Sequence, residues 1–329
     1  MTQQLYLGVD VGSVSTNFAL LGDDGAVYET LYLRTQGRPI ETVQQGLADL
    51  GRLFADRDVR IAGVGTTGSA RQLSAVLVGA DSVKNEITAH AIAASMVIPG
   101  VKTVFEIGGQ DSKIIILREG IVVDFAMNTV CAAGTGSFLD QQAARLGIPI
   151  EDFGGYALRA DSPVRIAGRC TVFAESDMIH KQQMGHSTAN IVAGLSEALV
   201  RNYLNNIARG KDLQPPMVFQ GGVAANAGIK HAFEKALGQE VIIPEHHKVM
   251  GAIGAAQLAR ERIEVTGETN FKGFAASDFS YRTRGFECDY CPNVCEVVEI
   301  LQDGRVISRW GDKCGRWQNL DFPSPVKQR

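Results

Sequence analysis

Residues 8–17 read GVDVGSVSTN, and residues 106–113, about a domain's length further on, read EIGGQDSK. Each stretch puts an acid (Asp10, Glu106) at the end of an apolar run and follows it with a glycine turn (Gly12-Ser13-Val14, Gly108-Gly109-Gln110). A carboxylate at the end of a buried strand can sit beside a metal ion, and the turn after it can aim backbone N–H groups at an anion. Either stretch alone would serve equally as an ordinary hairpin turn, where glycine is also favoured. The recurrence decides: two such units facing each other would grip a nucleotide's phosphates and its Mg²⁺ from both sides, because hard cations take oxygen ligands and keep several waters.

The surroundings of the two motifs repeat as well. LYLGVDVGS and TNFALLGDDGAVYETLYLR (residues 5–13 and 16–34) read as a strand, a glycine turn, and two strands joined by GDDG. ETVQQGLADLGRLFA (41–55) spaces its apolar residues as a helix does, and VRIAGVG (59–65) is a short buried strand. The order β-β-β-α-β begins again at 101–128, where three apolar strands are followed by a predicted helix over 137–146. Further on come a long helix (190–209), the strand PMVFQGG (216–222), a helix (227–238), the strand EVIIP (240–244) and a small-residue helix, VMGAIGAAQLARERI (249–263). Alternation of this kind implies helices packed on mixed sheets. From about residue 263 the periodicity fades into an expected linker, which leads to a cysteine-rich tail.

A third glycine turn, FQGGVAANAGI (219–229), runs from a strand into a helix, and Gly221, Gly222 and Val223 there would let a base and ribose approach the backbone. A turn that packs a helix is the plainer reading of the same residues. GVGTTG (63–68) fits a dinucleotide fingerprint, with Asp81 at nearly the right distance for a ribose. It is rejected because SARQLS alone separates it from the next apolar run, AVLVGA, and a crossover needs at least about 10–12 residues. No G-x-x-x-x-G-K-[ST] stretch occurs.

With 329 residues the chain can form two domains or one bilobal unit. Its net charge of −4 and lack of a basic stripe argue against nucleic acid as a partner. No apolar stretch reaches the roughly 18 residues of a membrane span, and the start carries no charged region ahead of an apolar run, so a cytoplasmic protein without membrane contact is expected.

Taken together, the paired acid-glycine turns, the later Gly-Gly and the closing GAIGAA resemble the superfamily of acetate and sugar kinases, heat-shock ATPases and actin. Within it, GVDVGSVSTN, EIGGQDSK, NTVCAAGTGSFL (128–139), GRCTVFAESD (168–177) and GGVAANAGI (221–229) resemble the ATP-dependent activators of 2-hydroxyacyl-CoA dehydratases and their benzoyl-CoA reductase relatives. The resemblance covers residue 5 to about 262. It implies a two-lobed α/β fold with duplicated mixed sheets, lobe I being about 1–88 plus 240–262 and lobe II about 89–239, with 263–329 a linker and cysteine-rich extension. Two positions depart from the pattern: Asn17 stands where lysine is expected, and Glu106 where aspartate is expected.

The implied function is ATP hydrolysis coupled to low-potential electron transfer into a dehydratase- or reductase-type iron–sulfur partner, with ferredoxin or flavodoxin as upstream donor. Asp10 and Glu106 would position Mg²⁺, Gln110 would orient the attacking water, and ATP or ADP would contact Gly12, Ser13, Val14, Gly108, Gly109, Gly134, Gly136, Gly221, Gly222 and Val223. Six cysteines in a cytosolic chain suit ligands or redox groups better than disulfides. Cys131 and Cys170 each stand at a turn entering a predicted helix, where a thiolate is favoured. A [4Fe–4S] cluster takes four thiolates, so a homodimer would complete the set with Cys131 and Cys170 of both copies, as the resemblance implies. In the tail, Cys288, Cys291, Cys295 and Cys314 fit Zn²⁺ or a second iron–sulfur cluster. Alternatives are a reductase of a double-cubane-cluster protein, an amino sugar kinase of the same fold, and a nucleotide-switched scaffold that moves no electrons.

Overall fold

The computed structural model describes residues 2–128, 132–168 and 170–320. Strands β1 (Gln3–Val11), β2 (Ser15–Gly22) and β3 (Val27–Arg34) form an antiparallel meander, and helix α1 (Pro39–Leu53) crosses back so that β4 (Val59–Thr67) lies parallel to β1. Helix α2 (Arg71–Val78) then leads to the short β5 (Ser82–Val83), giving a sheet in the order β3-β2-β1-β4-β5. Leu5 to Val9 read as an unbroken apolar run because both faces of β1 are covered. Leu5, Leu7 and Val9 pack with Val43, Leu47 and Leu50 of α1, while Tyr6 faces the opposite core.

Helix α3 (Glu86–Val97) carries the chain to a second sheet built the same way. It comprises the meander β6 (Thr103–Ile107), β7 (Ser112–Arg118) and β8 (Ile121–Asn128). Helices α4 (Gly136–Leu146), α5 (Ile150–Leu158), α6 (Thr171–Gln183) and α7 (Thr188–Asn206) follow. Then come β9 (Met217–Gln220), α8 (Ala227–Leu237) and β10 (Val241–Ile242). The order β8-β7-β6-β9-β10 repeats that of the first sheet strand for strand. Its inner face holds the aromatic group Phe105, Tyr203, Phe219 and Phe233, with Phe105 stacked on Phe233 at 5.0 Å between centroids. Helix α9 (Met250–Thr266) returns to the first lobe and lies on β1, β2, β4 and α3.

Two expectations need correction. The apolar run 75–80 is not the strand after a crossover but part of the crossover helix itself. Leu73, Leu77 and Val78 of α2 are buried, and Gly79 caps the helix at φ 73°. Apolar runs this short fit a strand and a buried helix alike. The carboxylate of Asp81, which the rejected fingerprint would have put on a ribose, accepts from the Val64 amide (2.8 Å), the Thr269 hydroxyl (2.7 Å) and the Asn270 amide (2.7 Å). Those bonds also show that residues 267–279 do not hang free as a linker. Lys272 donates its amide to Val78, and the Gln44 side chain donates to the carbonyls of Ser277 and Phe279.

The tail folds into a three-stranded antiparallel sheet, β11 (Tyr281–Glu287), β12 (Glu296–Gln302) and β13 (Arg305–Trp310). Ala276, Tyr281 and Ile300 belong to the same buried cluster as Leu5, Leu7 and Val9, so the tail shares the first lobe's core. Its own interior is polar at one point: buried Glu299 is paired with Arg284 and, at 2.8 Å, with Arg309.

Candidate functional site

Parallel and antiparallel pairing brings three side chains into a row at the end of each central sheet. In the first lobe Asp10 pairs with Asn17 on β2 and Thr67 on β4; in the second, Glu106 pairs with Lys113 on β7 and Gln220 on β9. Asp10 thus matches Glu106, and Asn17 matches Lys113. Asp10, Asn17, Glu106 and Lys113 face a single cavity of about 120 Å³, which Gly12, Ser13, Val14, Gly108, Gly109, Gln110, Gly221 and Gly222 also line. Chain folding therefore gathers ten of the catalytic and nucleotide-binding candidates named from the sequence, together with Asn17. The two turns touch: a Cβ on Gly109 would lie 2.7 Å from a Val14 methyl. Gly221 holds φ 93°, and a Cβ there would meet a Glu106 carboxylate oxygen at 2.7 Å, so this turn admits glycine alone.

Lys113 is 3% exposed, and its ammonium contacts Glu86 (2.8 Å), Asp111 (2.9 Å) and Glu106 (3.1 Å). Burial works against its charge, but the carboxylates of Glu106, Glu86 and Asp111 outweigh that and push its pKa up. One ammonium does not neutralise three carboxylates. Glu106, the most deeply buried of the three, is accordingly pushed up to about 7, chiefly by desolvation with Lys113 opposing. Asp10, recessed on the cavity floor, is raised to about 7 by desolvation and by Glu86, with Lys113 and Asn17 pulling the other way. His90 on α3 is lowered to about 3 by burial and by Lys113, so it is neutral, and its Nδ1 accepts from the Gln220 amide at 2.9 Å.

The site holds buried polar atoms that lack a partner: Asn17 Oδ1, Thr67 Oγ1 and Gln220 Oε1. All three are oxygens beside the two raised carboxylates. What fits a hydrated Mg²⁺ with its bound phosphates is the pair of carboxylates that line the cavity, Asp10 and Glu106, hard oxygen ligands whose charge the ion would balance. Next to this end, a second cavity of about 240 Å³ shares Val14, Tyr32, Gly108, Gly109, Gly222 and Lys248 with the first. It adds Leu139, Ile150 and Val223 for a flat apolar group, and Asp140, Glu151 and Asn226 for hydrogen bonds. Gly136 lines it also, whereas Gly134 is set back, facing the Asn202 side chain.

The turn of the second lobe is tied to the helix after it. The Gly136 amide donates to Gly108 O (2.9 Å), and Ser137 donates to Gly109 O from its amide (2.8 Å) and its hydroxyl (2.5 Å). Cys131 lies outside the described residues. Cys170 is half-buried and is the residue capping α6. In the tail, Cys288 and Cys295 pack with Val297 and Trp317, Cys291 is half-buried and Cys314 is exposed. Among the described residues no group of three or more His, Cys, Asp or Glu side chains is arranged to hold a metal ion.

Sequence reasoning passed over Glu86, His90 and Gln220, and gave Lys113 no role. A signal existed for the first two. Asn85 is an N-cap whose side chain accepts from the Thr88 amide at 2.9 Å, and Glu86 and His90 stand four apart on one helix face.

The family model for BadF/BadG/BcrA/BcrD ATPases matches residues 7–259. The chain belongs to this family. It is 32% identical over 257 residues to the 2-hydroxyisocaproyl-CoA dehydratase activator of Clostridioides difficile, covering 77% of this chain and 94% of that protein. It is 30% identical over 280 residues to the (R)-2-hydroxyglutaryl-CoA dehydratase activating ATPase of Acidaminococcus fermentans, covering 78% and 97%. The solved structure of the Clostridium difficile activator with bound ADPNP superposes with a TM-score of 0.71 at 29% identity, over 80% of this chain and 97% of that one. A ROK family glucokinase from Streptomyces griseus, at 13% identity and a TM-score of 0.51, shares the fold. The BadF/BadG/BcrA/BcrD match ends ahead of the three-stranded tail. No described helix is long and apolar enough to cross a membrane.

Proposed function

We propose that this chain is an ATP-hydrolysing activator that delivers electrons to a 2-hydroxyacyl-CoA dehydratase- or benzoyl-CoA reductase-type partner. Bound between two copies of the chain on Cys131 and Cys170, a [4Fe–4S] cluster would supply the one-electron chemistry. ATP would lie along the two joined cavities, its base toward Leu139 and Ile150 and its phosphates, with Mg²⁺, between Asp10 and Glu106. Gly12, Ser13, Gly108 and Gly109 would donate backbone hydrogen bonds to the phosphates, and Gln110, which lines the phosphate end, would orient water. The upstream donor would be a ferredoxin or flavodoxin, the setting cytoplasmic, and the tail cysteines a further ligand set for Zn²⁺ or iron.

One observation carries this reading. The turn that meets the phosphates, Gly108-Gly109, is hydrogen-bonded to Gly136 and Ser137 at the start of α4, five and six residues past Cys131. A nucleotide that shifts the turn must shift that helix entry, and a ligand changes an equilibrium by its differential affinity for the two states. Anaerobic protein is the material for the test. Iron content and EPR of wild type, Cys131→Ala and Cys170→Ala should show a cluster signal lost in both variants, with the tail iron measured separately in a chain whose four tail cysteines are replaced. An unchanged signal in either variant would sink the assignment. Redox titration with no nucleotide, ADP and ADPNP should give three distinct potentials, and superimposable curves would remove the coupling.

A further inference from the structure

A hollow of about 1000 Å³ in the second lobe shares no lining residue with the nucleotide cleft. Six of its ten lining residues are Arg165, Arg201, Arg209, Asn202, Asn205 and Asn206, and none of the ten is acidic. In a chain of net charge −4 this is a local reversal of sign. Helices α6 and α7 hold the segment 166–168 along it: Arg201 donates to Ile166 O (2.7 Å), Asn202 Nδ2 donates to Gly168 O (2.6 Å), and the Ala167 amide donates to Asp177 (2.8 Å). Arg201 also lies 3.8 Å from Glu197, whereas Arg165 and Arg209 are exposed and pair with no acid among the described residues. Two further lining residues flank Cys170 along the chain, Gly168 two positions before it and Phe173 three after it. Phe173 and its neighbour Val172 are each 66% exposed.

We propose that this hollow docks the acidic face of a small electron carrier, a ferredoxin or flavodoxin, and so brings the carrier's redox centre up to Cys170. This rests on the electron-transfer reading above and says where on the chain the electron enters. Guanidinium forks pair with carboxylates through two hydrogen bonds at once, and the free forks of Arg165 and Arg209 have those bonds to offer. Redox encounters are small, typically below about 1,200 Å², and are steered by opposite charge more than held by apolar area. Phe173 and Val172 supply the limited dry contact at one edge. A small-molecule ligand suits the hollow less well, because such pockets are mostly apolar with a few polar groups. Nor does a second copy of the chain suit it: a two-fold axis through the hollow would set each arginine against its own counterpart. On docking, one electron leaves the reduced carrier for the cluster held at Cys131 and Cys170; no bond forms or breaks and no proton moves.

Calorimetric titration of the anaerobic full chain with an oxidised two-cluster ferredoxin and, separately, with an oxidised flavodoxin tests this, each at low and high salt. Wild type should bind at least one of them, more weakly as salt rises. Arg165→Glu/Arg209→Glu should lower that affinity about tenfold or more and flatten the salt dependence. Arg57→Glu/Arg60→Glu, the same change of charge at exposed positions of the first lobe, should leave it near wild type. In stopped flow the reduced carrier should load the Arg165→Glu/Arg209→Glu cluster more slowly, while dithionite brings variant and wild type to the same final spectrum. Wild-type affinity in Arg165→Glu/Arg209→Glu, an equal loss in Arg57→Glu/Arg60→Glu, or no binding of either carrier by wild type overturns the site. So does a variant that takes up electrons normally but fails to pass them on, which assigns the hollow to the acceptor enzyme, or one that no longer dimerises, which assigns it to a second copy. Failure of dithionite to reduce any cluster in wild type overturns the electron-transfer reading and this site with it.

Discussion

In the second lobe, Glu106 shares the ammonium of Lys113 with Glu86 and Asp111, all within 3.1 Å of it; in the first, Asp10 has an amide and a hydroxyl beside it in the sheet. The same strand order thus frames two electrostatic designs. One lobe brings its own counter-ion and is held together by it, at the cost of gathering three acids, one of them buried, around one base. The other leaves its acid, raised to about 7, to be matched by whatever enters the cleft. A duplicated fold can divide labour in this way because the rows face each other and a charge missing from one can be supplied by a ligand shared with the other.

The comparison is broken most decisively at Lys113. Lys113→Met leaves Glu86, Glu106 and Asp111 without their common partner, and loss of one member of a buried ion pair costs about 3–5 kcal/mol. Urea denaturation at neutral pH should register that loss, and adding Glu106→Gln to the same chain should recover part of it; a cost below about 1 kcal/mol would mean that the second lobe does not depend on its internal cation.

Asp10→Asn should act on catalysis and not on the fold. Losing a carboxylate that positions a catalytic metal removes several kcal/mol of transition-state stabilisation, so ATP hydrolysis should fall by about a hundredfold or more. Wild-type turnover in the variant would show that the first lobe's acid is not the one the cation needs.

The pH dependence of that same variant sharpens the contrast. Asp10 has a folded pKa of about 7 against a reference of 3.8, so its contribution to stability is complete at acid pH and is lost as pH rises through about 7. Asn has no such loss. In nucleotide-free, Mg²⁺-free buffer the melting temperature of Asp10→Asn should therefore gain on that of wild type between pH 5 and 8, measured by calorimetry. His90, held at about 3, contributes in the opposite sense: its stability is present above 6.5 and is lost as pH falls toward 3. A difference curve that is flat across pH 5–8 would mean that Asp10 is ionised throughout.

The smallest effect lies beneath the second row. The Tyr203 hydroxyl donates to the Lys113 carbonyl at 2.5 Å in a wholly buried setting, and Tyr203→Phe should cost about 1 kcal/mol in the same urea assay, the usual net worth of one hydrogen bond. A loss several times larger would place Tyr203, and not the ion cluster, at the root of the second lobe's rigidity.

What could be seen in the sequence was whatever depends on neighbours along the chain. Asp10 with Gly12 and Glu106 with Gly108 announce themselves because the acid and its turn are contiguous, and the repeat of β-β-β-α-β follows from local periodicity. What joins distant segments was hidden. Glu86 reaches Lys113 from the first turn of α3, and Gln220 reaches His90 from β9, through pairings that no short stretch encodes. Run 75–80 was misread because six apolar residues satisfy either period. Residues 267–279 looked like a linker because their contacts are made by backbone amides and by polar side chains of Gln44 and Asp81, which leave no hydrophobic rhythm behind.

That segment has a practical bearing on how the protein can be cut and rebuilt. A construction that stopped where the family resemblance stops would strip Ala276, Tyr281 and Ile300 from the hydrophobic cluster of β1 and leave Asp81 without Thr269 and Asn270. The tail is consequently a poor candidate for a detachable cassette: swapping it between relatives would ask the recipient's α1 and α2 to present a matching inner surface, so the graft would have to include both sides of the seam.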